Sequence, residues 1–235
     1  MDLSGVLSQK GIGEGGNWRV YRCLLQNGLT MIVKEPKNWP QRSIQCNLER
    51  YNLVKDLGLP TTSFLEKSHY NKKDVLVTED LKKNGISFVS PNSVWTEDDK
   101  KRSSITRLFL HQTSSERFES EEEQYFYEHR SQSVPNFPNF LKRVTEDINK
   151  ATENNIQISF DSYFFSIEKD NPNSRIDYKI ADWDNIEKCE DKNFQVLLKS
   201  NMEDFQQAMS DFLNSFVQEG KNRNSYLLLT SKMSS

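Results

Sequence analysis

The chain has 235 residues, enough for one large domain or two small lobes around a cleft. It is polar, with 35% hydrophobic and 28% charged residues, but its 14 Phe, 8 Tyr and 4 Trp can still supply a core. The formal net charge of -3 gives no basic excess, so neither nucleic acid nor an anionic membrane is expected as the main partner.

The three cysteines, Cys23, Cys46 and Cys189, are widely scattered. They form neither a disulfide framework nor a metal-ligand spacing, which favours a reducing compartment. The first residues contain no apolar signal core, and no later run approaches the length of a membrane span. We therefore expect a cytoplasmic location and no membrane span; export by a route that needs no such signal is compatible with the sequence.

The first informative stretch covers residues 11–34. A glycine-dense loop is followed by a strand pattern, an Asn27-Gly28 turn and a second apolar run that ends on Lys34, which predicts a β-hairpin. Glycine lacks a Cβ, so Gly13, Gly15 and Gly16 can bring backbone close to a phosphate chain, and Lys34 adds a cation. The stretch predicts a nucleotide lid of the kinase type.

Two alternatives stay open for these glycines. Gly11, Gly13 and Gly16 also satisfy G-x-G-x-x-G, but a dinucleotide site needs a helix after the glycines, and the residues that follow are typical of a strand. An ordinary glycine-rich turn between two strands is the other alternative. The downstream residues favour the nucleotide lid.

A helix is predicted from Ile44 to Leu57, with Ser43 as its cap and Gly58 at its end. Glu49 lies on this helix, 15 residues after Lys34. An ion pair between the two would fix the ammonium against the α- and β-phosphates of a nucleotide. The alternative is a solvated helix residue.

Strands are predicted at 62–65 and 74–78, and Glu79-Asp80-Leu81 follows at once. A buried strand that ends in exposed main chain suits adenine, which can hydrogen-bond to backbone groups. We expect a smaller lobe over 1–78 with about five strands and one helix. Residues 79–91 would connect it to a mainly helical lobe over 92–235.

Helices are predicted over 96–110 and from Phe140 to Asn155, and the region 114–131 could be a loop or a short helix. The tail is expected to contain three more helices, at 193–198, 202–216 and 226–229.

Two aspartates end short apolar strands in the second informative stretch, residues 155–186. Asp161 follows one strand, and Asp182 follows another 21 residues later. A buried carboxylate without a partner is unfavourable, so a metal ion or a hydroxyl is expected nearby. The alternative is that both aspartates cap turns.

Together these residues resemble the protein-kinase-like superfamily, in the form of aminoglycoside and choline kinase-like phosphotransferases or a minimal protein kinase. The resemblance covers residues 8–186. It rests on Gly-Glu-Gly-Gly at 13–16 with Val20, the Met31–Lys34 strand, Glu49, the Leu76–Leu81 segment, Asp161, and Ile180-Ala181-Asp182-Trp183-Asp184. It implies an α+β, two-lobed fold: a small antiparallel β-sheet with one helix, then a mostly helical, shortened C-lobe.

The resemblance also implies the chemistry. ATP and Mg²⁺ would be the cofactors, and the γ-phosphate would pass to a hydroxyl of a protein or a small molecule. Lys34 and Asp161 would be catalytic, and Asp182, Asp184 and Ser166 would take the metal positions. The remaining nucleotide contacts would come from the lid and the connection: Gly13, Gly15, Gly16, Val20, Glu49, Glu79 and Leu81.

The chain departs from the superfamily's pattern at three positions. Trp18 stands where a third glycine is usual, Ser159 where a histidine is, and Ser166 where a metal-binding asparagine is. These departures favour the alternative of a pseudokinase that binds a nucleotide or a partner without transfer. A hydrolase or metalloenzyme has little support, because the three histidines have no ligand spacing and no Gly-x-Ser-x-Gly motif is present.

Overall fold

A computed structural model of the chain describes residues 3–14, 17–82, 86–89, 130–168 and 170–233. It confirms the predicted α+β class. The chain divides into two compact units, Met1–Asn84 and Gly85–Ser235. The predicted helix over 96–110 and the undecided region up to residue 129 lie outside the described residues, as do Gly15 and Gly16.

The described residues of the first unit form a five-stranded antiparallel sheet with one helix, preceded by a short 3-10 turn at Leu3–Gly5. The elements are β1 Val6–Glu14, β2 Trp18–Leu25, β3 Thr30–Pro36, α1 Pro40–Asp56, β4 Phe64–Tyr70 and β5 Lys73–Glu79. The strand order is β1-β2-β3-β5-β4.

The predicted hairpin is confirmed as β2 and β3. Gly28 has φ +79°, the left-handed region that glycine tolerates best, and its N–H donates to the Leu25 carbonyl at 2.9 Å. Asn27 Oδ1 accepts from the Leu29 N–H at 3.0 Å. The Asn-Gly pair thus closes the turn with its own side chain and fixes the strand register.

The two faces of this sheet bury different side chains. One face packs Cys23, Met31, Val33, Val75 and Val77 against Leu3. On the other face, Trp18 and Leu76 pack against Ile44 of α1, together with the half-buried Val20 and Leu48. Helix α1 therefore covers the face that carries the even-numbered residues of β2 and β3.

Two elements of this unit differ from the prediction. Helix α1 begins at Pro40, not Ile44, and its N-cap is Trp39 with φ 47°; the Ser43 side chain donates to the Asn38 carbonyl instead of capping. Proline suits the first helical turn because its missing N–H has no helical partner there. Strand β4 ends five residues beyond the predicted end at Leu65, because Glu66 to Tyr70 pair with β5 at the sheet edge, where charged residues are common.

The described residues of the second unit form three helices and two small antiparallel sheets. The elements in chain order are β6 Ile86–Val89, α2 Phe137–Glu153, β7 Ile156–Ile158, a 3-10 turn Phe160–Ser162, β8 Tyr163–Glu168, β9 Tyr178–Ile180, a 3-10 turn Trp183–Asn185, β10 Ile186–Lys188, α3 Phe194–Phe216 and α4 Lys221–Ser231. The sheets have the strand orders β6-β8-β9 and β10-β7.

The helices of this unit are longer than their apolar patterns predict. Helix α2 starts at Phe137 because Pro138 is accommodated in its first turn. The two predicted helices over 193–198 and 202–216 are one helix, α3, which Asn193 caps by accepting the Gln195 N–H at 2.8 Å. Helix α4 begins just after Gly220, five residues before the predicted start. Within the described ranges, no helix is both long and apolar enough to cross a bilayer.

Aromatic rings form the core of the second unit. Phe140 of α2 and Phe205 of α3 meet with centroids 6.3 Å apart, and Phe165 of β8 lies 6.1 Å from Phe205 in an edge-on arrangement. Tyr163 and Tyr178 are buried beside them. Strands β8 and β9 are therefore held between α2 and α3, which places the aspartates that flank them.

Asn201 of α3 forms hydrogen bonds with β7 and with α2, so replacing it should lower the free energy of unfolding. Its side chain is fully buried; it accepts the Ile158 N–H at 2.9 Å and donates to the Ile156 carbonyl at 2.9 Å and to Thr152 Oγ1 at 3.1 Å. Asn201→Ala leaves buried backbone groups of β7 without partners, so we expect the free energy of unfolding to fall by about 2–3 kcal/mol. Urea denaturation checks this. The matched control is the exposed helix residue Gln207→Ala, and equal effects from the two variants would contradict the assignment.

Candidate functional site

One row of residues crosses four strands of the first unit. The strand register pairs Gly13 with Val20, Val20 with Lys34, and Lys34 with Leu76. Residues that face each other in an antiparallel sheet lie on the same face. Lys34 and Val20 are therefore neighbours on the face that α1 covers. Gly13 of the glycine-rich segment lies on β1, the strand that pairs with Val20.

Glu49 is exposed on α1 and does not pair with Lys34 in the described part of the chain. It accepts a hydrogen bond from Gln45 Nε2 at 2.9 Å, one turn earlier on the same helix. An exposed i, i+4 bond of this kind stabilises a helix by only about 0.2–0.5 kcal/mol. The predicted Lys34–Glu49 ion pair is thus not formed here, and the contact that replaces it is weak.

The segment 79–81 begins at the last residue of β5 and continues beyond the sheet. Glu79 is tied to Ser63 twice: its N–H donates to the Ser63 carbonyl at 3.0 Å, and its Oε1 accepts the Ser63 N–H at 2.9 Å. Leu81 is half-buried, and no described residue hydrogen-bonds to its N–H or C=O. That this segment contacts adenine through its backbone stays a prediction, and at Leu81 neither backbone group is taken up by a described residue.

Asp80, between these two residues, is only 2% exposed. Arg22 of β2 binds both of its carboxylate oxygens, with Nε to Oδ2 at 2.8 Å and Nη2 to Oδ1 at 3.2 Å. Oδ1 also accepts the Lys82 N–H at 3.1 Å. The carboxylate is thereby paired and hydrogen-bonded, as a buried charge must be.

In the second unit, Asp161 and Asp182 come together. Strands β8 and β9 pair Tyr163 with Ile180, and the Ala181 N–H donates to the Ser162 carbonyl at 3.0 Å. The 3-10 turn Phe160–Ser162 carries Asp161 just before β8, and Asp182 lies two residues after β9, close enough for its charge to act on Asp161. The structure thus joins two aspartates that are 21 residues apart in the sequence.

The Asp161 carboxylate is only partly hydrogen-bonded. Its Oδ2 accepts from Asn185 Nδ2 at 2.7 Å, whereas its Oδ1 is buried and has no partner among the described residues. Burial raises the pKa of Asp161 above its ordinary value, and the negative charge of Asp182 raises this pKa further. An unpaired, desolvated oxygen beside a second carboxylate is suited to a cation or to a hydroxyl proton.

Asp182 is held by the 3-10 turn that follows it. Its Oδ1 accepts the Asp184 N–H at 3.4 Å, and the buried Trp183 donates its indole N–H to the Ile180 carbonyl at 3.3 Å. The tryptophan fixes the turn in the core, and both aspartates remain half-buried. Two carboxylates with oxygen donors match the preference of Mg²⁺, which takes one or two carboxylates and completes its shell with phosphates and water.

Ser166 does not join these aspartates. It is buried on β8, where its hydroxyl accepts the Asp177 N–H at 2.6 Å, and it lines a small cavity with Ser131, Ser174 and Phe212. Among the residues that the structure describes, no group of three or more His, Cys, Asp or Glu side chains could hold a metal ion. The predicted role of Ser166 as a metal ligand has no geometric support.

Neither the protein-family models nor the curated proteins compared with this chain include a match. The interpretation of the site therefore rests on its own geometry.

Several residues that shape the site were missed at the level of sequence. They are Arg22, Asp80, Asn185, Asn201 and Asp204. Asp204 lies on α3, where burial raises its pKa, and its negative charge contributes to the raised pKa of Asp161. Asn201 and Asp204 are polar residues on the apolar side of a helix, which could have marked them. Reading the helix from its apolar pattern treats such residues as breaks in that pattern.

The raised pKa of Asp161 predicts that removing its charge stabilises the fold at neutral pH. Because the folded-state pKa lies above the unfolded one, the ionised form destabilises the fold above that pKa; the penalty disappears as the pH falls below about 4, the ordinary aspartate pKa. Asp161→Asn should therefore raise the melting temperature at pH 7 and leave it unchanged near the acid limit. The control is the exposed Glu187→Gln. A gain of equal size at both pH values would contradict this electrostatic cause.

Proposed function

We propose that the protein is an ATP- and Mg²⁺-dependent phosphotransferase of the protein-kinase-like superfamily. The observation that carries the proposal is the proximity of Asp161 and Asp182, with one buried Asp161 oxygen that no described residue hydrogen-bonds. The proposed reaction transfers the γ-phosphate of ATP to a hydroxyl group of a protein Ser/Thr residue or a small molecule.

The proposal assigns the first unit to nucleotide binding. A five-stranded antiparallel sheet with one helix is the N-lobe that the resemblance implies, over 1–78, with 79–91 as the connection and 92–235 as the C-lobe. Val20 would contact the base, and Lys34, its neighbour in the register, would neutralise the phosphates. Glu49 would pair with Lys34 only after it leaves Gln45, since helix position controls this ion pair in kinases.

Asp182 would hold Mg²⁺, with Asp184 close by on the same turn. Bound Mg²⁺ supplies positive charge to the β- and γ-phosphates. The Trp183 anchor keeps the Asp182 carboxylate in place before the nucleotide arrives, so little reorganisation is needed on binding.

Asp161 would orient the acceptor hydroxyl and accept its proton. Asn185 holds Oδ2, which leaves the buried Oδ1 for the hydroxyl. The raised pKa makes this carboxylate a better proton acceptor than an ordinary aspartate. The negative charge of Asp204 on α3 would contribute to this raised pKa.

A pseudokinase is the second candidate, favoured by Ser166. Its hydroxyl is committed to the Asp177 N–H, so the position that usually supplies a second metal ligand is occupied by a structural hydrogen bond. A protein with this substitution could bind ATP at Lys34 and the 79–81 segment without transferring phosphate.

Incubation of the full chain with γ-labelled ATP and Mg²⁺, alone and with protein and alcohol acceptors, separates the two candidates. Incorporated phosphate, located by mass spectrometry and absent in Asp161→Asn, supports the enzyme. MgATP binding without incorporation supports the pseudokinase. Absence of MgATP binding to the wild type would contradict both.

A further inference from the structure

We infer that the Arg22–Asp80 pair is a positioning device that sets the direction of the Leu81 backbone for recognition of adenine. This inference rests on the proposed function, because it assigns a role within the same nucleotide site. Arg22 and Asp80 belong to the first unit and lie 58 positions apart in the sequence.

Hydrogen bonds fix the segment on both sides of Leu81, and the Arg22–Asp80 pair supplies those on the Lys82 side. Ser63 holds Glu79 on one side through two hydrogen bonds. On the other side, Asp80 Oδ1 accepts the Lys82 N–H, while Arg22 holds the same carboxylate with two nitrogens. Leu81 therefore has neighbours that are tied on either side, and its own N–H and C=O meet no described residue. That is the arrangement expected for a donor and an acceptor that serve a ligand.

The sheet register explains why an arginine is needed. Arg22 pairs with Ile32 of β3, and Ile32 pairs with Thr78 of β5. The guanidinium must therefore cross two strand spacings, about 10 Å, to reach the residue beyond Glu79. The planar guanidinium binds both carboxylate oxygens, which fixes the orientation of Asp80 as well as its position. Lysine keeps the charge but cannot form this fork.

The chemistry of a buried ion pair also favours a positional role. Such a pair adds little net stability compared with apolar side chains of the same volume, so its value lies in the single geometry that it selects. A purine edge that bonds to this segment would need the Leu81 N–H within about 3 Å and well aligned, because hydrogen bonds weaken steeply with angle.

The experiment compares ligands with and without the base. Binding of MgATP and of magnesium tripolyphosphate to the full chain is measured by calorimetry for the wild type, Arg22→Lys and Asp80→Asn. The matched control is Arg19→Lys, on the same strand, whose partner Glu35 (Nη1 to Oε1, 3.4 Å) is not in the 79–82 segment. Melting curves confirm that each variant is folded, and Asp80→Asn, which retains an acceptor for Arg22, serves if Arg22→Lys does not fold.

We expect Arg22→Lys to weaken MgATP binding about tenfold, equivalent to the loss of one adenine hydrogen bond, and to leave tripolyphosphate binding unchanged. Arg19→Lys should change neither. Equal losses for both ligands, or an unchanged preference for ATP, would overturn the positioning role while leaving the nucleotide site intact. A wild type that binds tripolyphosphate as tightly as ATP would also overturn it. A wild type that binds neither ligand would overturn the proposed function itself.

Discussion

Asp182→Asn is expected to reduce ATP turnover by about a thousandfold, the loss that follows when several kcal/mol of metal-based charge stabilisation are removed. The amide has the shape of the carboxylate but not its charge, so it binds Mg²⁺ poorly. Its oxygen can still accept the Asp184 N–H, which keeps the 3-10 turn at Trp183–Asn185 capped. Turnover is measured as phosphate released from ATP at saturating Mg²⁺.

The control for this prediction is Asp191→Asn, an exposed aspartate nine residues further along the chain. It removes the same charge from the second unit without touching the paired carboxylates. Normal turnover in Asp182→Asn would remove the metal-site assignment, and a similar loss in both variants would indicate a general effect of net charge.

Arg22→Ala is expected to lower the free energy of unfolding by about 3–5 kcal/mol, because it leaves the Asp80 carboxylate buried without its partner. The loss should exceed that from the exposed ion pair between Lys199 and Glu203, which spans one helical turn at 3.8 Å. Lys199→Ala is therefore the control, and urea denaturation gives both values.

The double variant Arg22→Ala/Asp80→Ala tests the cause of this loss. Removing the stranded charge should recover part of the stability, so the double variant should be more stable than Arg22→Ala alone. If the two single losses simply add, the pair is not coupled and the large effect must come from lost packing of the arginine stem.

Local chemistry made parts of the fold predictable. Asn27-Gly28 predicted the hairpin because only a few residues accept the backbone angles of its turn, and Gly28 has the expected positive φ. Gly58, with φ +66°, follows the last turn of α1 as predicted. The strand that follows the glycines also argues against a dinucleotide site, which would require a helix there.

Tertiary contacts decided the elements that the sequence alone did not predict. Helix α3 continues through the polar residues Lys199 to Asn201 because Asn201 bonds to β7, which no periodicity reveals. The Arg22–Asp80 pair joins a strand to a segment 58 residues away, so its two halves look like ordinary surface charges in the sequence.

The sequence predicted those candidate-site residues whose positions depend on the ends of strands. Asp161 and Asp182 could be anticipated together because each comes two or three residues after a short apolar strand, and the pairing of β8 with β9 brings the two segments together. Ser166 was predicted as a metal ligand from its spacing of five residues after Asp161. It lies instead on the paired strand β8, where the pleat directs its side chain to a separate cavity. Glu49 depends on the rotation of α1, which a helix pattern does not specify.

A structure of the full chain with Mg²⁺ and a non-hydrolysable ATP analogue tests the proposed nucleotide site. We expect one nucleotide whose α- and β-phosphates lie within about 3 Å of the Lys34 ammonium, with a Mg²⁺ ion on the same triphosphate held by Asp182. A complex in which Lys34 and Asp182 contact no common nucleotide would contradict it.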